Sequence, residues 1–174
     1  MRRICVIFTI LIFSVVNANA CDYEFSNFGD SKEAIFAKSE VPPISFPDTF
    51  GGESVIIPIN EICNDEKLKF SKLEYFFIEN KLVRIDLIRI LQNDRNLMDH
   101  AMQKYGKFDL PKKVQVNDWR GSYSWEKGNE LITYAVFDIP DGHAENLRIL
   151  NKLYFNNIAD YYEKVGKWED SQKE

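Results

Sequence analysis

From Lys72 to Leu91 the chain alternates apolar and polar positions, which is the two-residue period of half-buried strands. Leu73, Tyr75 and Phe77 share one face, Glu79-Asn80-Lys81 makes a turn, and Leu82 to Leu91 returns as a long strand. Val83, Ile85 and Leu87 read as one face of that strand, with Arg84 and Asp86 opposite. The apolar phase then moves to Ile88 and Ile90. A one-residue slip reverses every following side chain, so the pattern predicts a bulge near Leu87-Ile88, or else a strand end buried on both sides. Ser54 to Ile59 is a β-branched run and Lys67 to Phe70 a weaker one. Beyond Pro111, Val114 to Trp119, Ser122 to Trp125 and Glu130 to Phe137 read as three more strands, with a hairpin turn at Lys127-Gly128-Asn129.

Two segments change to the helical period. Leu97, Met98, Ala101, Met102 and Tyr105 form one stripe, Asn93 offers a cap and Gly106 a left-handed exit. A second stripe steps through Leu147, Leu150, Tyr154, Ile158, Tyr161 and Val165, starting from Asp141 and ending at Gly166, with a frayed tail beyond. A short helix follows Asp30, and the Pro- and Gly-rich stretch from Pro42 to Glu53 reads as a loop. The expected fold is α+β: a mainly antiparallel sheet of six or seven strands, with the Asn93 and Asp141 helices as two principal helices on one face.

The first twenty residues follow another rule. Arg2 and Arg3 precede an apolar run from Ile4 to Val16, which is shorter than the roughly 20 residues of a membrane-spanning helix. Ala18-Asn19-Ala20 supplies small residues for cleavage, so residues 1–20 read as a signal peptide and 21–174 as a single exported domain. Cys21 and Cys63 then remain in an oxidising compartment. They suggest one disulfide, with lipid attachment at Cys21 as the alternative.

Removing residues 1–20 takes away two of 22 basic residues and none of 27 acidic ones, a net charge of −7. That balance argues against nucleic acid, whose phosphates call for Lys and Arg, and suits a partner protein with a basic face. The chain has no later transmembrane segment. His100 and His143 lie in different regions with no second histidine at metal-ligand spacing, and no phosphate loop or nucleophile elbow occurs. No cofactor or catalytic residue is assigned. Asp118, Glu126 and Glu130 flank Trp119, Tyr123 and Trp125, which makes these six a candidate binding surface, with a glycan site as one reading.

Phe28-Gly29-Asp30-Ser31 entering a helix, Tyr75 to Leu82, Lys104-Tyr105-Gly106, Trp119 and Trp125 together resemble small exported bacterial α+β proteins. The resemblance implies no activity or site. Ala18 and Asn19 depart from the attachment signal of the lipoproteins in that group. The expected function is a secreted or periplasmic, non-enzymatic binding protein, such as an immunity- or inhibitor-like partner. An envelope glycan-binding protein or hydrolase, and an envelope lipoprotein assembly factor, are the alternatives.

Overall fold

The computed structural model describes Tyr23 and residues 26–39, 42–63, 65–90 and 94–173. In chain order these form α1 (Lys32–Phe36), β1 (Ile44–Pro47), β2 (Gly52–Pro58), β3 (Ser71–Ile78), β4 (Lys81–Ile90), α2 (Asn96–Tyr105), β5 (Gly121–Lys127), β6 (Glu130–Ile139), β7 (Gly142–Asn151) and α3 (Phe155–Ser171). The seven strands make one sheet in the order β1-β2-β3-β4-β7-β6-β5, and every neighbouring pair is antiparallel. The fold is therefore α+β, with a seven-stranded antiparallel sheet and two main helices.

Turn chemistry fixes the two clearest hairpins. Glu79 and Asn80 both take left-handed backbone angles (φ 50° and 60°), giving the two-residue turn whose twist suits flanking strands. Asn80 is held there from outside: its Oδ1 accepts the Lys32 N–H at 3.0 Å and its amide donates to Glu33 at 3.0 Å. Those bonds tie α1 to the hairpin. Between β5 and β6, Gly128 supplies the positive φ of 56°.

The bulge lies elsewhere than the sequence pattern suggests. Phe76 pairs with Arg84 and Phe77 with Leu82, so Val83 is the extra residue. Val83 thus turns to the Phe76 side, while Ile85 and Leu87 join Tyr75 and Leu73. From Ile85 onward the alternation is regular. Ile88 and Ile90 take the outer side without any slip, and Arg89 points into the core side, where it is 2% exposed.

Two apolar clusters flank the pleat. The larger joins Leu73, Tyr75, Phe77, Ile85 and Leu87 to Leu97, Met98, Ala101 and Tyr105 of α2. The smaller joins Phe76, Ile78 and Val83 to Tyr161 of α3. Successive strand residues point to opposite sides. By the side chains they touch, α2 packs with the Tyr75 cluster and α3 with the Phe76 cluster.

Five local expectations are revised. Gly142–Asn151 is a central strand bonded to both β4 and β6, and the helix starts only at Phe155. Leu147 and Ile149 alternate inward. The step from Leu147 through Leu150 to Tyr154 only imitates a helical stripe. Gly166 lies inside α3, and Trp168 packs edge-on against Phe50 with ring centroids 5.8 Å apart. Val116–Asp118 is a single 3-10 turn instead of part of a strand, as is Glu66–Leu68. Within the Pro/Gly stretch, Ile44–Pro47 pairs with β2.

Two hydrogen bonds tie α3 to the sheet and its flanking loop: Arg84 donates to the Tyr162 hydroxyl at 2.6 Å, and Tyr161 bonds to Asp48. The Tyr161 hydroxyl donates to Asp48 Oδ2 at 2.5 Å, while Asp48 Oδ1 accepts the N–H groups of Phe50 (2.7 Å) and Gly52 (2.9 Å). A Cβ on Gly52 would lie 2.4 Å from Asp48 Oδ2 and 2.5 Å from the Tyr161 ring, so this contact requires glycine. Burial opposes ionisation of Asp48, but the Tyr161 hydroxyl and the Phe50, Gly52 and Gly51 amides outweigh it and hold the carboxyl below its usual range.

No helix among the described residues is long and apolar enough to cross a membrane. Tyr23 is fully buried: its hydroxyl lies 3.1 Å from His100 Nε2 and 3.2 Å from the Tyr105 hydroxyl, and Tyr75 donates to its carbonyl at 2.8 Å. Tyr23 is thus part of the core. Residues 1–20 and Cys21 lie outside the described residues. Cys63 is disulfide-bonded and packs against the larger cluster.

Candidate functional surface

β5 gathers the aromatics that the sequence singles out. Tyr123 and Trp125 are two apart, so they leave the strand on one side, the side of Tyr134 and Ile132. Phe108, from the segment after α2, stacks on Tyr123 with centroids 4.6 Å apart and planes within 9°. Trp125 meets Tyr123 edge-on at 4.9 Å, and its indole N–H donates to the Gly106 carbonyl at 3.0 Å. Trp119 is 7% exposed, stacks on Tyr134 at 6.0 Å and lies 5.6 Å from Phe108. Its ring also lies over Gly121, where an added Cβ would meet it at 3.1 Å. Trp119 is thus mainly core. Tyr123, at 39% exposure, is the accessible ring.

A buried polar cluster stiffens this corner from behind. Arg95 donates to the carbonyls of Val116 (3.3 Å) and Asn117 (2.6 Å), which fixes the turn that delivers Trp119. Tyr134 donates to Glu145 at 2.5 Å, and Glu145 lies 3.7 Å from Arg89, which is also paired with Asp94 at 2.5 Å. Burial raises the Glu145 carboxyl against the pull of Tyr134, Arg89 and Arg95. Burial, then the Glu145 charge and bond, raises the Tyr134 phenol.

The three candidate carboxylates do not gather around these rings. Glu126 leaves β5 on the side opposite Trp125 and is paired with Lys152 at 2.5 Å. That bond and the Lys152 charge hold its carboxyl below the usual range. Glu130 opens β6 and borders a polar hollow of about 270 Å³ with Ser26, Asn27, Phe28 and Asn151. Asp118 ends an exposed turn before β5. Among the described residues no group of three or more His, Cys, Asp or Glu could hold a metal ion.

Among the described residues, the opposite face of the sheet is covered by α3 only near the β3–β4 turn, where Tyr162 accepts from Arg84. Beyond it the register aligns Ile44, Ile56, Glu74, Asp86, Arg148, Thr133 and Ser124 in one row across all seven strands. The centre of that row is charged. Asp86 is paired with Arg148 at 2.7 Å and with Arg84, and Arg84 reaches Glu74 at 3.1 Å and lies 4.3 Å over the Phe76 ring. Around this centre, large apolar side chains stand in solvent on the same face: Ile44, Phe46, Ile90 and Phe137, between 41% and 60% exposed. Ile56, Ile88 and Ile90 line an open groove of about 320 Å³ bounded by Lys69, Phe70 and Lys72.

Two of these features escape the sequence reading. Phe108, the ring that joins Trp119, Tyr123 and Trp125, is a lone aromatic in an irregular segment, with no periodicity to mark it. The exposed face requires knowing which strands pair and where α3 stops. Comparison with protein-family models, curated proteins and solved structures returns no match.

Proposed function

We propose that this chain is an exported, non-enzymatic binding protein that recognises a partner protein through the uncovered face of its sheet. The observation that carries this reading is the set Ile44, Phe46, Ile90 and Phe137, exposed on one face around the Asp86–Arg148 pair. An antiparallel sheet tolerates a solvated face when that face is polar. Several large apolar side chains on one such face are the mark of a contact surface. The acidic balance of the chain supports a partner whose contact surface is basic at its rim and apolar at its centre.

The test compares wild type with a triple variant, Phe46→Ser, Ile90→Ser and Phe137→Ser, as bait in extracts of exported proteins. Recovery of a stoichiometric partner by wild type and its loss with the folded triple variant is the expected outcome. Equal recovery by both, or by neither, rejects the surface. The glycan reading through Asp118, Trp119, Tyr123, Trp125, Glu126 and Glu130 has less geometric support, because Glu126 lies across the sheet from the rings.

Export with a Cys21–Cys63 bond forms one testable proposal, with lipidation at Cys21 in place of that bond as its alternative. The burial of Tyr23 supports a mature chain that begins near Cys21. The intact mass of protein from the native host, with and without reductant, distinguishes an oxidised chain beginning at Cys21 from a lipidated or uncleaved one.

A further inference from the structure

The two edges of the sheet differ. β1 has four residues and ends in Pro47, a blunted edge of the kind that resists further pairing. β5 has seven residues, contains no proline, and is exposed at every position except Trp125, which is half-buried. An open strand edge is a template for another strand.

Which backbone groups point outward follows from the turn. Lys127 and Glu130 flank the two-residue Gly128-Asn129 turn and close its hydrogen-bonded pair. The main chain of Gly121, Tyr123, Trp125 and Lys127 therefore bonds toward β6. The N–H and C=O groups of Ser122, Ser124 and Glu126 point away from the sheet.

We propose that β5 pairs antiparallel with β5 of a second copy of this chain, about a two-fold axis through Ser124, and joins the two sheets edge to edge. The strand is complementary to itself in that register. Ser124 meets Ser124 of the second copy as a hydrogen-bonded pair. Tyr123 meets Trp125 of the second copy on the Phe108 side, an aromatic cross-strand pair made twice. Glu126 falls opposite Ser122 and Lys127 opposite Gly121, so no like charges face each other. Glu126 is already neutralised by Lys152 within its own chain. The symmetry is isologous and closes at two. A seven-residue edge lies at the small end of specific interfaces, so the affinity expected is about micromolar. Both copies are acidic, so added salt strengthens the pairing by screening their repulsion.

Sedimentation of the full chain across a concentration series tests this. A reversible monomer–dimer equilibrium that strengthens with salt is expected. Ser124→Pro removes an outward N–H and leaves the β5–β6 bonds in place, so it abolishes the dimer while the thermal melt stays that of a folded chain. Thiol cross-linking sets the register: Ser124→Cys links to itself, Ser122→Cys does not, and Ser122→Cys mixed with Glu126→Cys does. A wild type that stays monomeric throughout the series, a dimer that survives Ser124→Pro, or self-linking at Ser122 in place of Ser124 overturns the proposal. The open-face triple variant keeps the dimer, so loss of partner binding and loss of self-association are read separately.

Discussion

Gly52→Ala tests the pinning of α3. In a regular strand that exchange stabilises a protein by about 0.4–1 kcal/mol, because alanine has fewer unfolded conformations to lose. Here the sign reverses. The new methyl would lie 2.4 Å from Asp48 Oδ2 and 2.5 and 2.8 Å from two atoms of the Tyr161 ring. Asp48 cannot yield easily, because the Phe50 and Gly52 amides hold its other oxygen. Tyr161 is backed by Phe76, with ring centroids 5.2 Å apart. Overpacking of this kind costs about 1–3 kcal/mol, and breaking the charge-assisted Tyr161–Asp48 bond adds about 1.5–3 kcal/mol. We expect a net loss of about 3 kcal/mol by urea denaturation, and a lower melting temperature by about 6–12 °C for a chain of this size. Trp168, resting on Phe50, should change its fluorescence as α3 lifts. Tyr161→Phe alone, which removes only that bond, should cost about 1.5–3 kcal/mol. The double variant should cost less than the sum of the two, because both act on one contact. A Gly52→Ala protein as stable as wild type, or costs that simply add, would refute this account of the docking.

Acid should act on the same contact. Asp48 is depressed in the folded state, so its contribution is complete above the unfolded value of about 3.8 and disappears as pH falls through the lower folded value. Asp48→Asn should flatten that part of a stability–pH curve. Glu145 has the opposite sign: its raised folded value makes stability fall as pH rises above about 4.5, so Glu145→Gln, which still accepts the Tyr134 bond, should gain on wild type toward neutral pH in paired urea titrations. Arg95→Met should leave the Val116 and Asn117 carbonyls unpaired, cost about 2–3 kcal/mol and red-shift tryptophan emission as Trp119 loosens; an unchanged spectrum would count against the role given to Arg95. Phe108→Ala should cost about 2–3 kcal/mol and weaken the near-ultraviolet dichroism of the Tyr123–Trp125 pair.

The β3–β4 hairpin is legible in the sequence because two local signals agree there, strict alternation and a turn that takes left-handed angles. α2 is legible for a similar reason, since its stripe meets one side of one core. β7 is not, because Leu147, Leu150 and Tyr154 fit a helical step as well as a strand. Only pairing on both sides, with β4 and β6, decides between them. The bulge at Val83 is displaced from Leu87-Ile88 for a related reason: a buried charged residue, Arg89, occupies a core position that sequence patterning marks as outer. In the candidate surface, Tyr123 and Trp125 could be found from their spacing on one strand. Phe108 could not, and neither could the separation of Glu126 from the rings, since both depend on which side of the sheet faces α2.

The strand order also governs how the chain reaches this structure. β1 to β4 and β5 to β7 are each built from hairpins, whose partners are neighbours along the chain. The two groups meet only where β4 pairs with β7, across a span such as Asp86 to Arg148. Joining them requires closure of a long loop, which is entropically costly and slow. Each group can therefore form rapidly by itself, and their meeting is the natural rate-limiting step. A break in the polypeptide between α2 and β5 would spare every hairpin, so two fragments cut there are the pair to test for reassembly.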